Sequence, residues 1–436
     1  MIRQLNSSDA EFDNNLTALL SFPEEDRLEV RSVVAGIIKD VRDRGDIALV
    51  ELTNQFDRQS AEDMTSLQIS PARLAAAFDA ISPLVRDALI ESADRVRHYH
   101  EHQLSAMGAG DDWQFTDELG NTLGQKVKAM SRVGIYVPGG KAAYPSTIIM
   151  TAVPARVAGV EEIVLCVPTP GGKLNDLLLA AAHLCGVDYV FTVGGAQAIA
   201  AMAYGTISVP KVDKIVGPGN VYVATAKELV FGDVGIDMIA GPSEVVIVAD
   251  DSADPDWVVQ DMFAQAEHDE MAQAIVISPS KQLLQKVKAL IPVKLGEQTR
   301  SSIIDVAIDQ RAALISVENL DDAFDLVNRI APEHLQIALE APEQYLEKVH
   351  HAGAVFLGAD TAEVVGDYSA GPSHVLPTSG TARFASPLGV YDFQTRTSVI
   401  HCSPRGAIVL NRTAAILARE EGLDAHAESA LSRVKG

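Results

Sequence analysis

The stretch VGIYVPGG, residues 133–140, decides the fold class, because a short run rich in β-branched residues passes directly into a glycine-containing turn. Comparable runs, separated by helical patterns, recur at 163–167, 189–193, 214–216, 245–248, 274–277, 314–317 and 354–357. Strands that alternate with helices predict parallel sheets covered by helices. Because the runs fall into two series, we expect an α/β protein with two such units.

The regions on either side of these series show a different pattern. From Leu28 to about Gln103 apolar residues recur at helical spacing with charges between them, which predicts two or three amphipathic helices before any strand. After Pro377 the chain becomes irregular and then shows two short helical patterns, at 413–421 and 425–434. We therefore expect small helical extensions at both ends.

Charge and composition argue against several classes of partner. The formal net charge of −24 disfavours binding to nucleic acid and to anionic membranes. The three cysteines lack CxxC spacing, which argues against a disulfide framework and a thiolate metal site. Residues 1–6 lack the apolar segment of a secretion signal, and no continuous apolar run reaches the roughly 20 residues of a membrane helix. We expect a cytoplasmic protein.

Two short segments carry residue types that suit metal binding and acid–base chemistry. Residues 254–269 are predicted to be helical, which places Gln265 and His268 three residues apart and close enough to share a ligand. A strand pattern follows the turn that holds Glu333 and His334, so that a carboxylate lies beside an imidazole at the end of a sheet element. A surface role for the first pair and an incidental polar turn for the second are the alternatives.

A loop and several glycine turns complete the candidates. The loop 366–374 contains Asp367 and His374, both suitable zinc ligands, although turn chemistry alone could explain the aspartate. Glycine turns follow strand candidates where backbone amides could approach a nucleotide, at 137–140, 194–197, 217–220 and 241–243, and none of them completes GxGxxG. By contrast, His98, His100 and His102 lie in a charged helical stretch and are interpreted as facing solvent.

Seven strings together resemble the histidinol dehydrogenase family, and they lie at 133–140, 194–200, 212–220, 240–244, 264–269, 331–335 and 366–378. Their order, spacing and joint presence make coincidence a poor explanation. The resemblance implies two Rossmann-like, incompletely doubly wound parallel-sheet domains. One would combine residues 1–130 and 243–380, the other would be the inserted segment 131–242, and the tail 381–436 would reach the partner subunit.

The resemblance also implies the metal and the assembly. One zinc ion per active site would be held by Gln265, His268 and Asp367 of one chain and by His426 of the second chain in an intertwined homodimer with shared sites. The same four residues would contact the substrate, histidinol, together with a further set that comprises Ser243, His334, His374 and Glu421. Ser373 departs from the asparagine frequent in the family, which puts the fine geometry of this loop in doubt.

The implied reaction uses NAD twice, first to oxidise the alcohol to the aldehyde and then to oxidise the hydrated aldehyde to histidine. The resemblance assigns proton removal to His334 and activation of water to Glu333, with NAD contacts at Tyr136, Gln197 and Asn220. A related zinc dehydrogenase of a small sulfonated diol would keep the zinc ligands and the Glu–His pair. A zinc hydrolase would need no NAD, and a non-catalytic binding protein would show no turnover.

Overall fold

The computed structural model describes residues 2–21, 27–106, 110–139 and 144–434. The β-strands are β1 (Arg3–Asn6), β2 (Gln68–Ile69), β3 (Trp113–Thr116), β4 (Thr122–Ala129), β5 (Arg132–Tyr136), β6 (Glu162–Cys166), β7 (Tyr189–Phe191), β8 (Lys214–Val216), β9 (Gly235–Ile236), β10 (Glu244–Ala249), β11 (Gln273–Ser278), β12 (Ala313–Ser316), β13 (His334–Ala338), β14 (Ala354–Leu357) and β15 (Gln394–His401). The α-helices are α1 (Phe12–Leu20), α2 (Arg27–Arg44), α3 (Asp46–Asp57), α4 (Pro71–Ala80), α5 (Pro83–Ala106), α6 (Pro145–Ala158), α7 (Asp176–Leu184), α8 (Gly195–Tyr204), α9 (Val221–Val230), α10 (Pro255–Ala266), α11 (Lys281–Leu295), α12 (Ser301–Arg311), α13 (Leu320–Ile330), α14 (Val364–Tyr368), α15 (Pro404–Glu420) and α16 (Asp424–Leu431).

The first sheet contains six parallel strands in the order β1-β12-β11-β10-β13-β14. Helices cover both of its faces. Val245 and Ile247 pack against α10, α11 and α12, whereas Val246 and Val248 pack against α1 and α13. A central strand whose two faces are both buried needs apolar residues at successive positions. The apolar run at 245–248 was recognisable in the sequence for this reason.

The second sheet has the order β2-β7-β6-β5-β8-β9. All of its pairings are parallel except that of β2 with β7. On one face Val133 and Ile135 pack against α4 to α7, and on the other Val164 and Ile215 pack against α2, α3, α8 and α9. The predicted α/β class with two helix-covered parallel sheets is confirmed.

Residues 27–106 pack differently from the domain division implied by the resemblance. Of residues 1–130, β1 and α1 join the first sheet, but the helices α2 to α5 bury their apolar stripes against the second sheet. Val34 and Leu49 lie in one core of that sheet, and Leu74 and Val96 lie in the other. An amphipathic stripe specifies that a helix is buried, but not the sheet that buries it.

Helix α5 also corrects the interpretation of its three histidines. His98 and His102 are exposed as expected, but His100 is fully buried, and its Nδ1 lies 2.7 Å from the carbonyl oxygen of Val96. His100 shares the buried side of the helix with Ala93 and Val96. The local bond to the helix backbone satisfies one ring nitrogen and makes this burial tolerable.

An antiparallel sheet and a helical hairpin form an arm that the sequence patterns did not predict in full. The strands β3, β4 and β15 pair antiparallel in the order β15-β4-β3. Helices α15 and α16 pack on each other through a small alanine core, made by Ala415, Ala418, Ala427 and Ala430. Both C-terminal helices were expected, although α15 begins nine residues earlier than the pattern indicated, at Pro404.

The part of the chain that the structure describes contains no helix that is both long and apolar enough to cross a membrane.

Candidate active site

The Glu333–His334 pair lies at the amino end of β13, next to the amino end of β10 in the first sheet. Both side chains bind the backbone of Glu244. Its amide nitrogen donates to Oε2 of Glu333 at 2.8 Å, and its carbonyl oxygen lies 3.0 Å from Nδ1 of His334. The parallel register of β10 and β13 thus holds the carboxylate and the imidazole side by side.

The backbone contact of His334 determines which ring nitrogen is basic. A carbonyl oxygen can only accept, so Nδ1 carries a hydrogen and donates it to Glu244. Nε2 is left with the lone pair, and it lies 3.3 Å from Oε1 of Glu363. The neutral ring is therefore oriented with its proton-accepting atom, Nε2, toward the carboxyl group of Glu363.

Burial perturbs every ionisable group in this cluster. Glu333, His334 and Glu363 are 7%, 5% and 2% exposed, so all three are shielded from solvent. Desolvation raises the pKa of Glu333 and of Glu363 well above their usual values, and it lowers the pKa of His334. The imidazole is thereby kept neutral and available as a base near neutral pH.

Asp367, on α14, adds a carboxylate to this cluster. Its Oδ1 lies 3.5 Å from Nδ1 of His374. Burial alone would raise the pKa of Asp367, but its hydrogen bond to His374 and the neighbouring imidazoles of His334 and His268 bring the pKa below its usual value. The carboxylate is ionised although its side chain is only 13% exposed, and a carboxylate must be ionised to bind a metal.

Potential ligand atoms of three residues, His334, Glu363 and Asp367, lie within 4.8 Å of one another, and no other such group of His, Cys, Asp or Glu side chains occurs within the described ranges. Gln265, at the end of α10, is 1% exposed, and neither atom of its side-chain amide has a hydrogen-bond partner among the residues that the structure describes. Buried amides normally satisfy both atoms, so this amide is poised for a ligand.

These residues fit a zinc ion. His268 lies just beyond α10 and close enough to Asp367 to influence its pKa. An amide oxygen, an imidazole and an ionised carboxylate are nitrogen and oxygen donors that zinc accepts in proteins. The orphaned amide of Gln265 and the ionised carboxylate of Asp367 are both groups that a cation would satisfy.

His426 and Glu421 are not brought to this cluster within one chain. His426 lies on α16 and Glu421 at the end of α15, and both are exposed on the helical hairpin. His426 is absent from the group of close ligand atoms described above. Within one chain, His426 is thus not among the side chains that lie close to Asp367.

Of the remaining predicted substrate contacts, His374 adjoins Asp367 as described above, and Ser243 adjoins Glu244. Ser243 is half-buried and directly precedes Glu244. Ser373 is buried, and its hydroxyl donates to the carbonyl oxygen of Met150 at 3.0 Å and accepts from the amide of Val375 at 3.2 Å. Ser373 thus anchors the loop that contains His374 to helix α6. Its hydroxyl binds only backbone atoms of its partners.

The expected NAD contacts lie at the carboxyl ends of β5, β7 and β8 in the second sheet. The hydroxyl of Tyr136 accepts a hydrogen bond from the amide of Gly195 at 3.1 Å. Gln197 is 1% exposed, and its Oε1 finds no donor within the described part of the chain. Asn220 is exposed and caps α9 by accepting from the amides of Tyr222 and Val223.

Among the four glycine turns predicted near a nucleotide, 217–220 is the most constrained. Gly217 has a φ of +108°, and a Cβ there would lie 2.1 Å from the carbonyl oxygen of Tyr136. Only glycine permits this backbone and this approach. Gly140, the last residue of the first turn, lies outside the described residues.

Sequence reasoning missed Glu244 and Glu363. Glu244 begins β10, and burial raises its pKa to about 7. Glu363 lies one helical turn before Asp367, and that spacing of two acids was the available signal. Glu244, by contrast, contributes to the site mainly through backbone atoms, which no residue pattern identifies.

The family to which these sites belong follows from comparison with known proteins. The sequence profile described as histidinol dehydrogenase matches residues 21–434. The chain belongs to the histidinol dehydrogenase family. The histidinol dehydrogenase of Pseudomonas syringae pv. tomato is 55% identical over 433 residues, which are 99% of this chain and 96% of that protein. The histidinol dehydrogenase of Chromobacterium violaceum is 55% identical over 432 residues, or 99% and 98% of the two chains.

A solved structure supports the same family. The crystal structure of histidinol dehydrogenase from Elizabethkingia anophelis matches with a TM-score of 0.91 and 31% sequence identity, and the match covers 100% of this chain and 98% of that chain. The resemblance inferred from the seven strings is confirmed, and the chain is an enzyme of the histidinol dehydrogenase family.

Proposed function

We propose that the chain oxidises L-histidinol to L-histidine through the aldehyde, in two successive NAD-dependent steps at one site. Family membership supports the substrate and the place in histidine biosynthesis. The observation that carries the chemistry is the orientation of His334, because its Nδ1 is bound to Glu244 while Nε2 faces the acidic cluster. A base fixed in this way can accept the carbinol proton of a substrate held beside it.

We propose one zinc ion per site, held by Gln265, His268 and Asp367, with His426 supplied by a second copy of the chain. The buried and unpaired amide of Gln265 supports this assignment. When bound, zinc would position the substrate and stabilise negative charge on oxygen. Ser243, His374 and Glu421 are proposed to complete the substrate pocket.

In the first oxidation, Nε2 of His334 takes the proton of the substrate hydroxyl while the carbinol carbon gives a hydride to NAD. The aldehyde stays in the site and adds water, and Glu333 would take a proton from that water while the aldehyde oxygen gains one, which gives the hydrate. In the second oxidation His334 would take a hydroxyl proton of the hydrate while its carbon gives a second hydride to NAD. Loss of the remaining carboxyl proton to solvent leaves the carboxylate of histidine. Because the amide of Glu244 holds Oε2 of Glu333, one oxygen is fixed and the other is left for water.

The proposed NAD contacts are Tyr136, Gln197 and Asn220. The unpaired Oε1 of the buried Gln197 supports a ligand at this end of the second sheet. The three residues lie at or just after the carboxyl ends of β5, β7 and β8. Parallel α/β sheets bind nucleotides at this edge.

We propose that the chain forms an intertwined homodimer with shared sites. The arm supports this, because its strands and helices leave large apolar side chains exposed, namely Trp113, Phe115, Ile400, Ile416 and Leu417. Exposed apolar side chains on one substructure are typical of a surface that a partner covers. A second copy would cover the arm and receive His426 and Glu421 at its own site. The cytoplasm is the proposed location, supported by three free cysteines.

Formation of NADH with histidinol, before and after chelation, tests the proposal. We expect two NADH per histidinol, loss of turnover after metal removal, and recovery when zinc is restored. A zinc hydrolase would retain metal-dependent turnover without NAD. A dehydrogenase of a sulfonated diol would reduce NAD with that diol and not with histidinol, and either result would overturn the proposal.

A further inference from the structure

A buried ion pair lies directly behind the turn 217–220 of the second sheet. Lys227 projects from α9 and Asp237 follows β9, and their Nζ and Oδ1 atoms are in contact. The two side chains are 2% and 1% exposed, so the charges are removed from solvent.

The pair binds both backbone groups of Gly217. Nζ of Lys227 donates to the carbonyl oxygen of Gly217 at 2.9 Å, and the amide of Gly217 donates to Oδ2 of Asp237 at 2.7 Å. The amide of Met238 also donates to Oδ1 of Asp237, at 2.6 Å. The amide and the carbonyl of one glycine are thus held by opposite charges.

Because Gly217 is held in this way, the proposed NAD contacts Tyr136 and Asn220 on either side of it are held in position too. Its α-carbon packs against the carbonyl oxygen of Tyr136, so a shift of the turn would displace the backbone that carries that tyrosine. At its other end the turn is fixed by Asn220, which caps α9. Lys227 lies on the same helix, so the cap and the ion pair hold the turn at both ends.

Stability alone is a poor reason for such a pair. Removing two charges from water costs much of what their attraction returns, and apolar residues of similar volume often give equal stability. An apolar pair, however, could not bind the amide and the carbonyl of Gly217. The arrangement therefore favours a role in the shape of the turn.

We propose that Lys227 and Asp237 are positioning residues that shape the turn 217–220 for binding of the dinucleotide. This rests on the proposed function, which places NAD at that turn. Neither side chain needs to touch the dinucleotide, because each acts through the peptide of Gly217.

The test is the neutral double variant Lys227→Met with Asp237→Asn, which removes both charges at nearly constant volume. We expect its Kd for NADH, from fluorescence titration, to rise at least about tenfold. The amides of residues 217–220 should exchange with deuterium faster in the ligand-free protein. The KM for NAD should rise similarly, while the KM for histidinol and the zinc content stay within about twofold.

The chain offers a matched control at the other end of β8. Nζ of Lys214 lies 2.8 Å from Oδ1 of Asp392, and this pair is 11% and 22% exposed. The double variant Lys214→Met with Asp392→Asn should leave both NADH binding and exchange of the turn unchanged. An equal loss of NADH affinity in this control would show a general effect of losing an ion pair and would overturn the inference.

A second variant, Asp237→Glu, keeps the charge but moves the carboxylate by one methylene, and it should weaken NADH binding with the fold retained. Asp237→Glu is the variant to measure if the neutral double variant does not fold. Equal NADH binding by the wild type and by the folded variants would overturn this inference alone. A wild type that binds no NADH and reduces no NAD with histidinol would overturn the proposed function and this inference together.

Discussion

Nε2 of His334 lies 3.3 Å from Oε1 of Glu363, and both groups are almost fully buried. This contact puts an acid next to the atom that we assign as the base. Burial raises the pKa of Glu363, but the ionised form of this group at this distance would stabilise a protonated His334 far more than a neutral group would. Glu363 thus adds a residue to the site that neither the motifs nor the resemblance indicated.

Glu363→Gln should lower kcat for histidinol oxidation by about 10- to 100-fold, the worth of a hydrogen bond to a charged group. The amide keeps the volume and a polar contact to His334 but can neither ionise nor exchange a proton with Nε2. Steady-state kinetics would measure the loss, and metal analysis would serve as the control. Loss of zinc in parallel with activity would contradict this role and identify Glu363 as a metal ligand.

Glu333→Gln and His334→Asn should separate the two oxidations. His334→Asn should slow the oxidation of histidinol by about 10²- to 10⁴-fold, because it removes the base for the hydroxyl proton. Glu333→Gln should spare that step and slow the oxidation of the aldehyde, because hydration then lacks its base. The ratio of NADH formed to histidinol consumed should fall from two toward one in Glu333→Gln. An unchanged ratio with a uniformly lower rate would contradict the division of roles.

The strands were predictable from the sequence for a physical reason. Strands such as β10 and β11 are buried in a parallel sheet, so apolar, β-branched residues mark them regardless of which face a side chain meets. The strand β15 is exposed along nearly its whole length and has a mixed sequence, QTRTSVIH, which gives no such signal. Its pairing with the distant β4 depends on tertiary structure.

The site was predictable where chemistry and local spacing coincide. Gln265 and His268 were predicted from a helix over 254–269, but α10 ends at Ala266 and His268 lies beyond it, whereas Glu333 and His334 were predicted from adjacency. The contacts that orient His334 were not predictable, because they come from the backbone of Glu244 on another strand. Likewise, the burial of His100 depends on what covers helix α5, which a local pattern of charges does not reveal.

The burial of His100 predicts a pH dependence of stability. Desolvation lowers its pKa in the folded protein, whereas the unfolded chain binds a proton near the ordinary value of 6.5. The contribution of the buried, neutral His100 to the free energy of unfolding is therefore complete above pH 6.5. It is lost as the pH falls toward the lower pKa that His100 has in the folded protein. His100→Gln should lose less stability than the wild type between pH 7.5 and pH 5.5.

Urea unfolding at the two pH values would measure the difference. His98→Gln is the matched control, because His98 lies on the same helix but is exposed, and it should follow the wild type. An equal pH dependence in His100→Gln and the wild type would show that burial of this imidazole does not contribute.

The exposed position of His426 leads to the last prediction. His426→Ala should lose zinc and activity together, and so should Gln265→Ala, because each removes one proposed ligand. If sites are shared, a heterodimer of the two variants has one site with both substitutions and one site with neither. Random mixing after denaturation and refolding makes half of the dimers heterodimers, so about a quarter of the wild-type activity should return. Absence of recovery, with mixed dimers verified by mass spectrometry, would show that each site is built within one chain.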